Sequence, residues 1–424
     1  MIKEIVGPIP RDENFYDHED LIEDMWAIAE EHDTFLIGPR RFGKSGILCK
    51  MYDEPRERFK VIFIDCEKLE DPYEFFFTEL LVEILKNRKI RLKIKDCTHS
   101  IPLIPKKILS GIKENISEIE LLEIKIGLRE SIEKNWKEES VQCIKELDKL
   151  ANEYNEKILF LLDEFPSLLK HMIDSGEYPE TKLFLEWFRA LRLDLNLTNT
   201  RFIIAGSRNI YTVYRNIPYL LLENGVIEKS ELTYFSLHQV FIDFRKILIE
   251  PFDVGTAKEF IKELFASNQI TVKDSTIDKI LNLIGSLVPY FIQLLISETK
   301  RYNDDGNLTP EIIESIYNER ILGPTCRFYF EYYEDRLKEY DQISEKGAKV
   351  IITELSKAGS LTKNELYDIF VFATKSDESS KFDELMNDLE MDFYIKFDEN
   401  NKYSFLSKIS SDWWLRWHPS STIR

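Results

Sequence analysis

The chain has 424 residues, of which 43% are hydrophobic and 31% charged, a balance typical of a folded protein with an apolar core. Its length exceeds what one core usually organises, which predicts two or three domains. The net charge of −19 argues against a protein that wraps nucleic acid over a broad surface, although a local basic patch could still bind nucleic acid. The five cysteines and six histidines are scattered without metal-ligand spacing, which indicates reduced thiols in an intracellular protein.

The sequence contains no recognisable signal peptide and no long uncharged apolar run. We therefore expect a cytoplasmic protein without a membrane partner. Residues 1–17 form an irregular, proline-bearing lead-in, and residues 19–31 carry the apolar period of a helix.

Residues 34–45 read TFLIGPRRFGKS, a short apolar run followed by the phosphate-binding pattern G-x-x-x-x-G-K-[ST]. A surface turn rich in glycine and lysine is the alternative, and the apolar run before the motif argues against it. The predicted nucleotide-binding residues of this loop are Gly38, Pro39, Arg40, Arg41, Phe42, Gly43, Lys44, Ser45 and Gly46.

The spacing of this loop follows from phosphate chemistry. Gly38 lets the chain turn sharply out of a buried strand, and Gly43 lets backbone N–H groups approach phosphate oxygens. Lys44 is expected to reach the β- and γ-phosphates of ATP, and the hydroxyl of Ser45 to bind Mg²⁺. The helix that begins after the loop would point its positive end at the anion.

A second buried strand is predicted at 61–64, ending in Asp65, and an apolar helix at 72–86. Residues 87–135 are less regular and contain two period-two patterns, which indicates an inserted hairpin or edge pair. Five basic residues between 88 and 95 form a basic patch. We interpret it as a solvated sheet edge rather than as a partner-binding surface.

The stretch Lys157–Glu164 is an apolar run after its first lysine and ends in Asp163 and Glu164, a Walker B pattern. A carboxylate at the carboxyl end of a buried parallel strand lies beside the phosphate loop, where ligands bind in open α/β sheets. Asp163 is expected to hold Mg²⁺ together with Ser45. Glu164 is expected to polarise the attacking water.

A further strand at 201–205 is followed by Ser207 and Arg208, which we interpret as sensors of the γ-phosphate that act with Glu164 and Lys44 in catalysis. An ordinary strand-to-loop turn is the alternative. Residues 244–252 are predicted to hold the last core strand. If the protein forms a homo-oligomer, an arginine from a neighbouring copy would complete the site. The candidates for that arginine are Arg189, Arg192 and Arg215.

Helical segments at 255–267, 274–284, 288–302 and 310–319 suggest a small helical lid. Pro289 either contacts the adenine or simply begins a helix. A linking helix is predicted at 324–341, followed by the helix and strand rhythm of a winged helix. The predicted domains are an ATPase core at 1–252 with an insertion at 87–135, a lid at 253–323, and a linker and winged-helix domain at 324–424.

Taken together, these motifs resemble the archaeal-type ATPases of the AAA+/STAND division of P-loop NTPases. The shared features are the proline-bearing lead-in, GPRRFGKS, the strand ending in Asp65, LDEFP at 162–166, FIIAGS at 202–207, the helical lid, and a winged helix closing on DWW at 412–414. The resemblance implies an α/β fold with a 5-1-4-3-2 parallel sheet, Mg²⁺-dependent ATP hydrolysis, and switching between ATP and ADP states. The chain departs from the family at Asp17-His18, where a Gly-Arg pair is usual, and has no obvious sensor 2 arginine in the lid.

Three functions compete on this basis. The first is a nucleotide-driven switch that relays to a protein partner. The second is an ATP-dependent DNA-binding protein that uses the winged helix or the basic insertion, and the third is a small-molecule kinase. The kinase explains neither the pair Asp163-Glu164 nor the winged helix. DNA binding is disfavoured because residues 377–392 carry acids where a groove-reading helix needs Arg, Lys, Asn or Gln.

Overall fold

The computed structural model describes residues 2–69, 136–193, 196–206, 210–232, 240–302 and 308–418, together with Glu79, Val82 and Lys86. The chain divides into two compact units. The first unit comprises Met1–Asp17, Pro39–Gly43 and Glu250–Arg424, and the second comprises His18–Gly38 and Lys44–Ile249. The predicted insertion at 87–135 and nearly all of the predicted helix at 72–86 lie outside the described residues.

A parallel five-stranded sheet forms the centre of the second unit, and its strands lie in the order β2-β3-β4-β1-β5. Read from the other edge, this is the 5-1-4-3-2 order that the resemblance implied, so that expectation is confirmed. The strands are β1 (Thr34–Ile37), β2 (Phe59–Asp65), β3 (Lys157–Asp163), β4 (Thr200–Ala205) and β5 (Arg245–Leu248).

Every residue of β3 is buried, which explains its nearly continuous apolar sequence. Phe160 of β3 stacks on Phe202 of β4 at 5.1 Å between ring centroids, and helices cover the sheet. The helices of this unit are α1 (Glu19–Ala29), α2 (Lys44–Asp53), α3 (Trp136–Glu153), α4 (Phe165–Asp174), α5 (Tyr178–Leu193) and α6 (Ile210–Glu223).

The first unit begins with the N-terminal segment, which is fixed to residues nearly 300 positions away. Glu4 forms an ion pair with Lys300 at 2.7 Å, and the backbone N–H of Ile5 donates to Gln293 at 2.6 Å. Thr309 caps the helix that follows it, as the sequence Thr309-Pro310 predicts. The lid helices are α7 (Val254–Ser267), α8 (Asp274–Ile284), α9 (Pro289–Tyr302) and α10 (Pro310–Ile316), which continues as a π-helical turn (Tyr317–Ile321).

The C-terminal part has the winged-helix order of helix, strand, two helices, two strands and a final helix. Its antiparallel sheet has the order β6-β8-β7. Trp413 and Trp414 are almost fully buried, so this aromatic end packs inside the unit, as expected from the sequence. The elements are α11 (Glu331–Leu337), α12 (Gln342–Ala358), β6 (Ser360–Thr362), α13 (Lys363–Thr374), α14 (Ser379–Met391), β7 (Ile395–Phe397), β8 (Lys402–Phe405) and α15 (Lys408–Trp417).

The predicted linking helix at 324–341 is wrong. The chain forms a short 3₁₀ turn at Arg327–Tyr329 and then α11, because Phe330 turns inward between them. Phe330 is fully buried and stacks on Phe291 at 5.5 Å and on Trp413 at 5.7 Å. Among the described residues, no helix is long and apolar enough to cross a membrane.

Candidate nucleotide site

The loop between β1 and α2 begins at Gly38 and ends at Gly43. A β-carbon on Gly38 would lie 3.3 Å from Cβ of Ile249, a tight contact that a larger residue could relieve only if Ile249 moved by a few tenths of an ångström. Gly43 adopts a φ of +94°, a conformation that L side chains rarely adopt. Helix α2 begins directly afterwards at Lys44, so the N–H groups of its first turn lie beside the loop.

Lys44 is 5% exposed, and its Nζ donates a hydrogen bond of 2.7 Å to the carbonyl of Gly38. The ammonium group therefore reaches back to the residue that begins the loop. A buried cation needs anionic or polar partners. In this position, the ammonium would favour an anion bound in the loop.

Asp163 is the last residue of β3, and its register partner on β2 is Asp65. The side chain of Ser45 hydrogen-bonds to Asp163, which joins the first turn of α2 to the end of this strand. Burial raises the pKa of Asp163 to about 6, and the charges of Glu164 and Asp65 act in the same direction. The Ser45 hydrogen bond and the Lys44 charge oppose that rise. A carboxylate in this setting would gain from a nearby cation.

Glu164 has a left-handed backbone with φ of 51° and directly precedes α4. Its backbone N–H donates to Asp163 Oδ1 at 3.1 Å, and its Oε2 accepts a bond of 3.4 Å from the hydroxyl of Ser167. A residue with a β-carbon adopts this backbone only where its surroundings enforce it, and such strain concentrates at functional sites.

Gly206 allows a close approach that sequence reasoning missed. A β-carbon at this position would lie 2.5 Å from Cδ of Pro166, in the first turn of α4. The chain end of β4 and the start of α4 are therefore in direct contact, two residues beyond Glu164. Ser207 and Arg208, the predicted sensors, lie outside the described residues.

The tip of the loop belongs to the first unit and is bound there by aromatic rings. The guanidinium carbon of Arg41 lies 4.5 Å from the ring centroid of Tyr290, and that of Arg40 lies 5.3 Å from the ring of Tyr332. Tyr290 directly follows Pro289. Pro289 is the first residue of α9, in agreement with its predicted role as the start of a helix. Neither tyrosine was predicted, because no local motif marks a ring that packs on a residue 249 positions earlier, as Tyr290 does, or 292 positions earlier, as Tyr332 does.

The predicted site residues are thus divided between the two units. The second unit holds Gly38, Lys44, Ser45, Gly46, Asp163 and Glu164, and the first holds Pro39, Arg40, Arg41, Phe42, Gly43 and Pro289.

Arg192, a predicted donor to a neighbouring copy, is not available for that role. Its side chain is 1% exposed and pairs with Asp243 at 2.6 Å, inside the same unit. The rings of Phe188 and Phe244 enclose its guanidinium group at 4.7 and 4.5 Å. The helical period of α5 could not reveal which of its arginines faces inward.

No protein-family model matches the chain, and no curated protein matches it either. Among solved structures, a Walker-type ATPase of Pyrococcus abyssi is similar over 96% of this chain and 98% of its own, with a TM-score of 0.61 and 18% identity. The ORC2 protein of Aeropyrum pernix is similar over 96% of this chain and 98% of its own, with a TM-score of 0.46 and 10% identity. At 18% identity, the similarity to the Pyrococcus abyssi protein shows a shared fold and nothing more. The similarity to the ORC2 protein is too weak to support any inference. The chain has a P-loop NTPase fold of the AAA+ type, followed by a helical lid and a winged-helix domain.

Proposed function

We propose that the chain binds ATP with Mg²⁺ and hydrolyses it. The observation that carries this proposal is the meeting of Lys44, Ser45 and Asp163 at the start of α2 and the end of β3. Lys44 would hold the β- and γ-phosphates while the backbone N–H groups of the loop bind their oxygens. Two features suit a phosphate ligand. The ammonium group of Lys44 is buried, and Gly43 has a positive φ with no protein atom close to the position that a β-carbon would occupy.

Ser45 and Asp163 would hold Mg²⁺, since both offer the oxygen ligands that this ion prefers. The described residues contain no group of three His, Cys, Asp or Glu side chains that could hold a metal alone. An ion with two protein ligands and further oxygens from phosphate and water is usual for Mg²⁺. When bound, Mg²⁺ would neutralise part of the phosphate charge.

Glu164 would act as the general base that polarises the attacking water. Its position directly after Asp163 and its enforced backbone support this role. Ser207 and Arg208 follow Gly206 in the chain, and we propose them as γ-phosphate sensors that act with Lys44 and Glu164. Pro289, at the first turn of α9, is proposed to contact the adenine.

We further propose that hydrolysis drives a switch that relays to a protein partner. The division into core (1–252), lid (253–323) and winged-helix domain (324–424) is part of this proposal. Helix α14 supports a protein partner over DNA, because Glu384 is exposed on it while its Lys381 is paired with Asp341 at 3.0 Å. Asp383 is also exposed, but it is paired with Lys363 at 2.7 Å.

The acidic face of α14 is nevertheless smaller than the sequence indicated. Asp388 and Asp392 are each 5% exposed, and Asp392 accepts hydrogen bonds of 2.6 Å from Arg336 and from Tyr340. These two carboxylates are therefore buried inside the unit, and they do not add to the repulsion of DNA phosphates at its surface.

Calorimetric titration of the full chain with Mg-ATP tests the nucleotide site. Lys44→Ala should lose most of its affinity for ATP, because the motif places no other lysine on the phosphates. Lys50→Ala is the matched control, since Lys50 lies on the same helix and pairs with Glu54 at 2.6 Å. Equal ATP binding by wild type and Lys44→Ala would refute the site.

Fluorescence anisotropy with labelled duplex DNA tests the partner class. We expect no binding tighter than about 1 μM at physiological salt, which is the limit of ordinary nonspecific association. Tighter, salt-sensitive binding would instead favour an ATP-dependent DNA-binding protein.

A further inference from the structure

The last helix of the lid, α10, ends in the π-helical turn Tyr317–Ile321, called the wide turn below. The N–H of Leu322 donates to the carbonyl of Tyr317 at 3.0 Å, five residues earlier, so this turn holds one residue more than an α-helical turn. Turns of this kind are rare, occur mostly as single turns within α-helices, and are frequent at functional sites. The contacts around the wide turn therefore matter for what it does.

Helix α15, the last helix of the chain, donates hydrogen bonds to backbone carbonyls in and just after the wide turn. Nη1 of Arg416 donates to the carbonyl of Asn318 at 2.7 Å, and Nε1 of Trp417 donates to that of Leu322 at 3.0 Å. The last carbonyls of a helix have no partner within that helix, so donors from elsewhere satisfy them. The end of the lid is thus capped by a helix that follows it by almost 90 positions.

Side chains join α15 to the lid at two further points. The hydroxyl of Tyr317, a residue 1% exposed, donates to Oδ2 of Asp412 at 2.7 Å, and Lys408 also pairs with Asp412. A β-carbon on Gly285, directly after α8, would lie 2.5 Å from Cβ of Lys408. The start of α15 therefore lies directly against the end of α8.

The wide turn and the segment after it are also fixed to the interior of the lid. Arg320 of the wide turn pairs with Glu298 of α9 at 3.6 Å, and Glu298 is 3% exposed. Phe330 lies between Phe291 of α9 and Trp413 of α15, with its ring stacked on both. The segment that connects the lid to the winged helix is therefore packed at both of its ends.

Helix α15 is equally part of the winged helix. Nε1 of Trp414 donates to Oγ1 of Thr353 on α12 at 2.9 Å, and each of these residues is 1% exposed. Separating them would leave two polar groups without partners in an apolar interior, which is unfavourable. α15 therefore stays with the winged helix in any motion that keeps this interior intact.

We infer that α15 is a clasp that joins the lid to the winged helix, so that these two parts move as one body when the bound nucleotide changes. This inference rests on the proposed switch. A hinge near residue 323 would let the lid move while the winged helix stays behind. Such a hinge would have to break the bonds from α15 to the wide turn together with the packing of Phe330. Movement of the lid is therefore passed to the winged helix without a hinge between them.

Pulsed electron paramagnetic resonance on the full chain measures the distance between spin labels on the lid and on the winged helix. Ala266 of α7 and Lys346 of α12 are exposed, and labelling through unnatural amino acids leaves the five cysteines unchanged. Wild type should give one narrow distance distribution without nucleotide. The same distribution should appear with Mg-ADP and with a non-hydrolysable ATP analogue in Mg²⁺.

The triple variant Tyr317→Phe, Arg416→Met and Trp417→Phe removes the three donors of the clasp and keeps the approximate shape of each side chain. It should broaden the distance distribution. The amides of the wide turn should exchange with solvent at least about tenfold faster than in wild type, as expected for loss of more than one hydrogen bond. Lys357→Met is the control, because its bond to Glu354 at 2.8 Å stays within α12, and it should leave both measurements unchanged.

Three results would overturn the inference. A broad wild-type distribution would show that the lid and the winged helix move independently, and a wild-type distance that differs between the two nucleotides would show a hinge between them. A triple variant with the same narrow distribution as wild type would show that α15 is not what joins them. If wild type binds neither nucleotide, the proposed function fails, whereas the comparison of wild type with the triple variant without nucleotide still tests the clasp.

Discussion

Nη1 of Arg192 donates hydrogen bonds of 2.7 and 2.6 Å to the two carboxylate oxygens of Asp243. A second carboxylate, that of Asp33, lies 3.9 Å away, and Arg192 also donates to the backbone carbonyls of Phe188 and Val240. One buried cation therefore joins the end of α5, the start of β1 and the segment before β5.

Arg192→Met should destabilise the chain by about 3–5 kcal/mol, because it leaves carboxylates in a buried setting without their cation. Urea unfolding measures the change. Arg245→Met, which removes an exposed arginine from β5, should shift the free energy of unfolding by less than about 0.5 kcal/mol. If wild-type ATPase activity rises with protein concentration and that of a stable Arg192→Met variant does not, Arg192 would be restored as a residue that acts on a neighbouring copy.

Glu164→Gln should bind ATP as wild type does and hydrolyse it at least about a hundredfold more slowly, as expected for loss of a general base. The amide keeps the shape of the side chain but cannot accept a proton from water. Phosphate release and calorimetry measure the two properties separately. Asp174→Asn, on the exposed end of α4, is the control and should hydrolyse ATP at the wild-type rate. An unchanged kcat in Glu164→Gln would remove Glu164 from the proposed mechanism.

Asp33 should make the stability of the chain depend on pH. Burial raises the pKa of its carboxyl from 3.8 to about 6, although Arg192 and the N–H of Phe202 oppose the rise. The folded state therefore binds a proton more tightly than the unfolded state. The contribution of Asp33 to stability is fully present below about pH 4 and is lost as the pH rises through about 6.

Asp33→Asn keeps an oxygen that can accept the 2.8 Å bond from Phe202 and removes the titration. Between pH 5 and pH 7.5, wild type should lose on the order of 1 kcal/mol more stability than this variant. Unfolding in urea at both pH values measures how much stability each protein loses. The other titrating groups are common to both proteins, so their contributions cancel when the two losses are compared. Parallel behaviour of the two proteins would show that Asp33 does not titrate in this range.

Gly206→Ala should destabilise the chain by about 1–3 kcal/mol, because the new methyl group would overlap the ring of Pro166. Pro166→Ala removes the ring atoms concerned, so the double variant should recover part of the loss. A thermodynamic cycle over the four proteins measures this coupling. Additive effects would mean that the cost of Gly206→Ala comes from the backbone rather than from the overlap.

Sequence predicted the parts of this fold that depend on local chemistry. The phosphate loop needs fixed residue types at fixed spacing, so GPRRFGKS locates β1, the loop and the start of α2 together. The run at 157–163 is buried on both faces, which leaves the nearly continuous apolar signature typical of a central parallel strand. The sheet order then followed from the resemblance, and the structure confirms it.

Contacts between distant residues could not be predicted in this way. The helical period of α5 shows an amphipathic helix, but it does not show that Arg192 lies inside with Asp243. Aromatic residues at 328–333 suggested a continuous helix, whereas tertiary packing of Phe330 breaks it. The ring of Tyr290 under Arg41 likewise depends on the fold of the whole first unit.

The ion pair between Glu4 and Lys300 sets an order of events during synthesis. The two residues are 296 positions apart, and ribosomes add about 5–20 residues per second. Lys300 is therefore synthesised roughly 15–60 s after Glu4. The second unit ends at Ile249 and can fold within that interval. The N-terminal segment of the first unit, Met1–Asp17, therefore lacks its partners during that interval, and we expect an N-terminal fusion that delays its packing to lower the yield of folded chain.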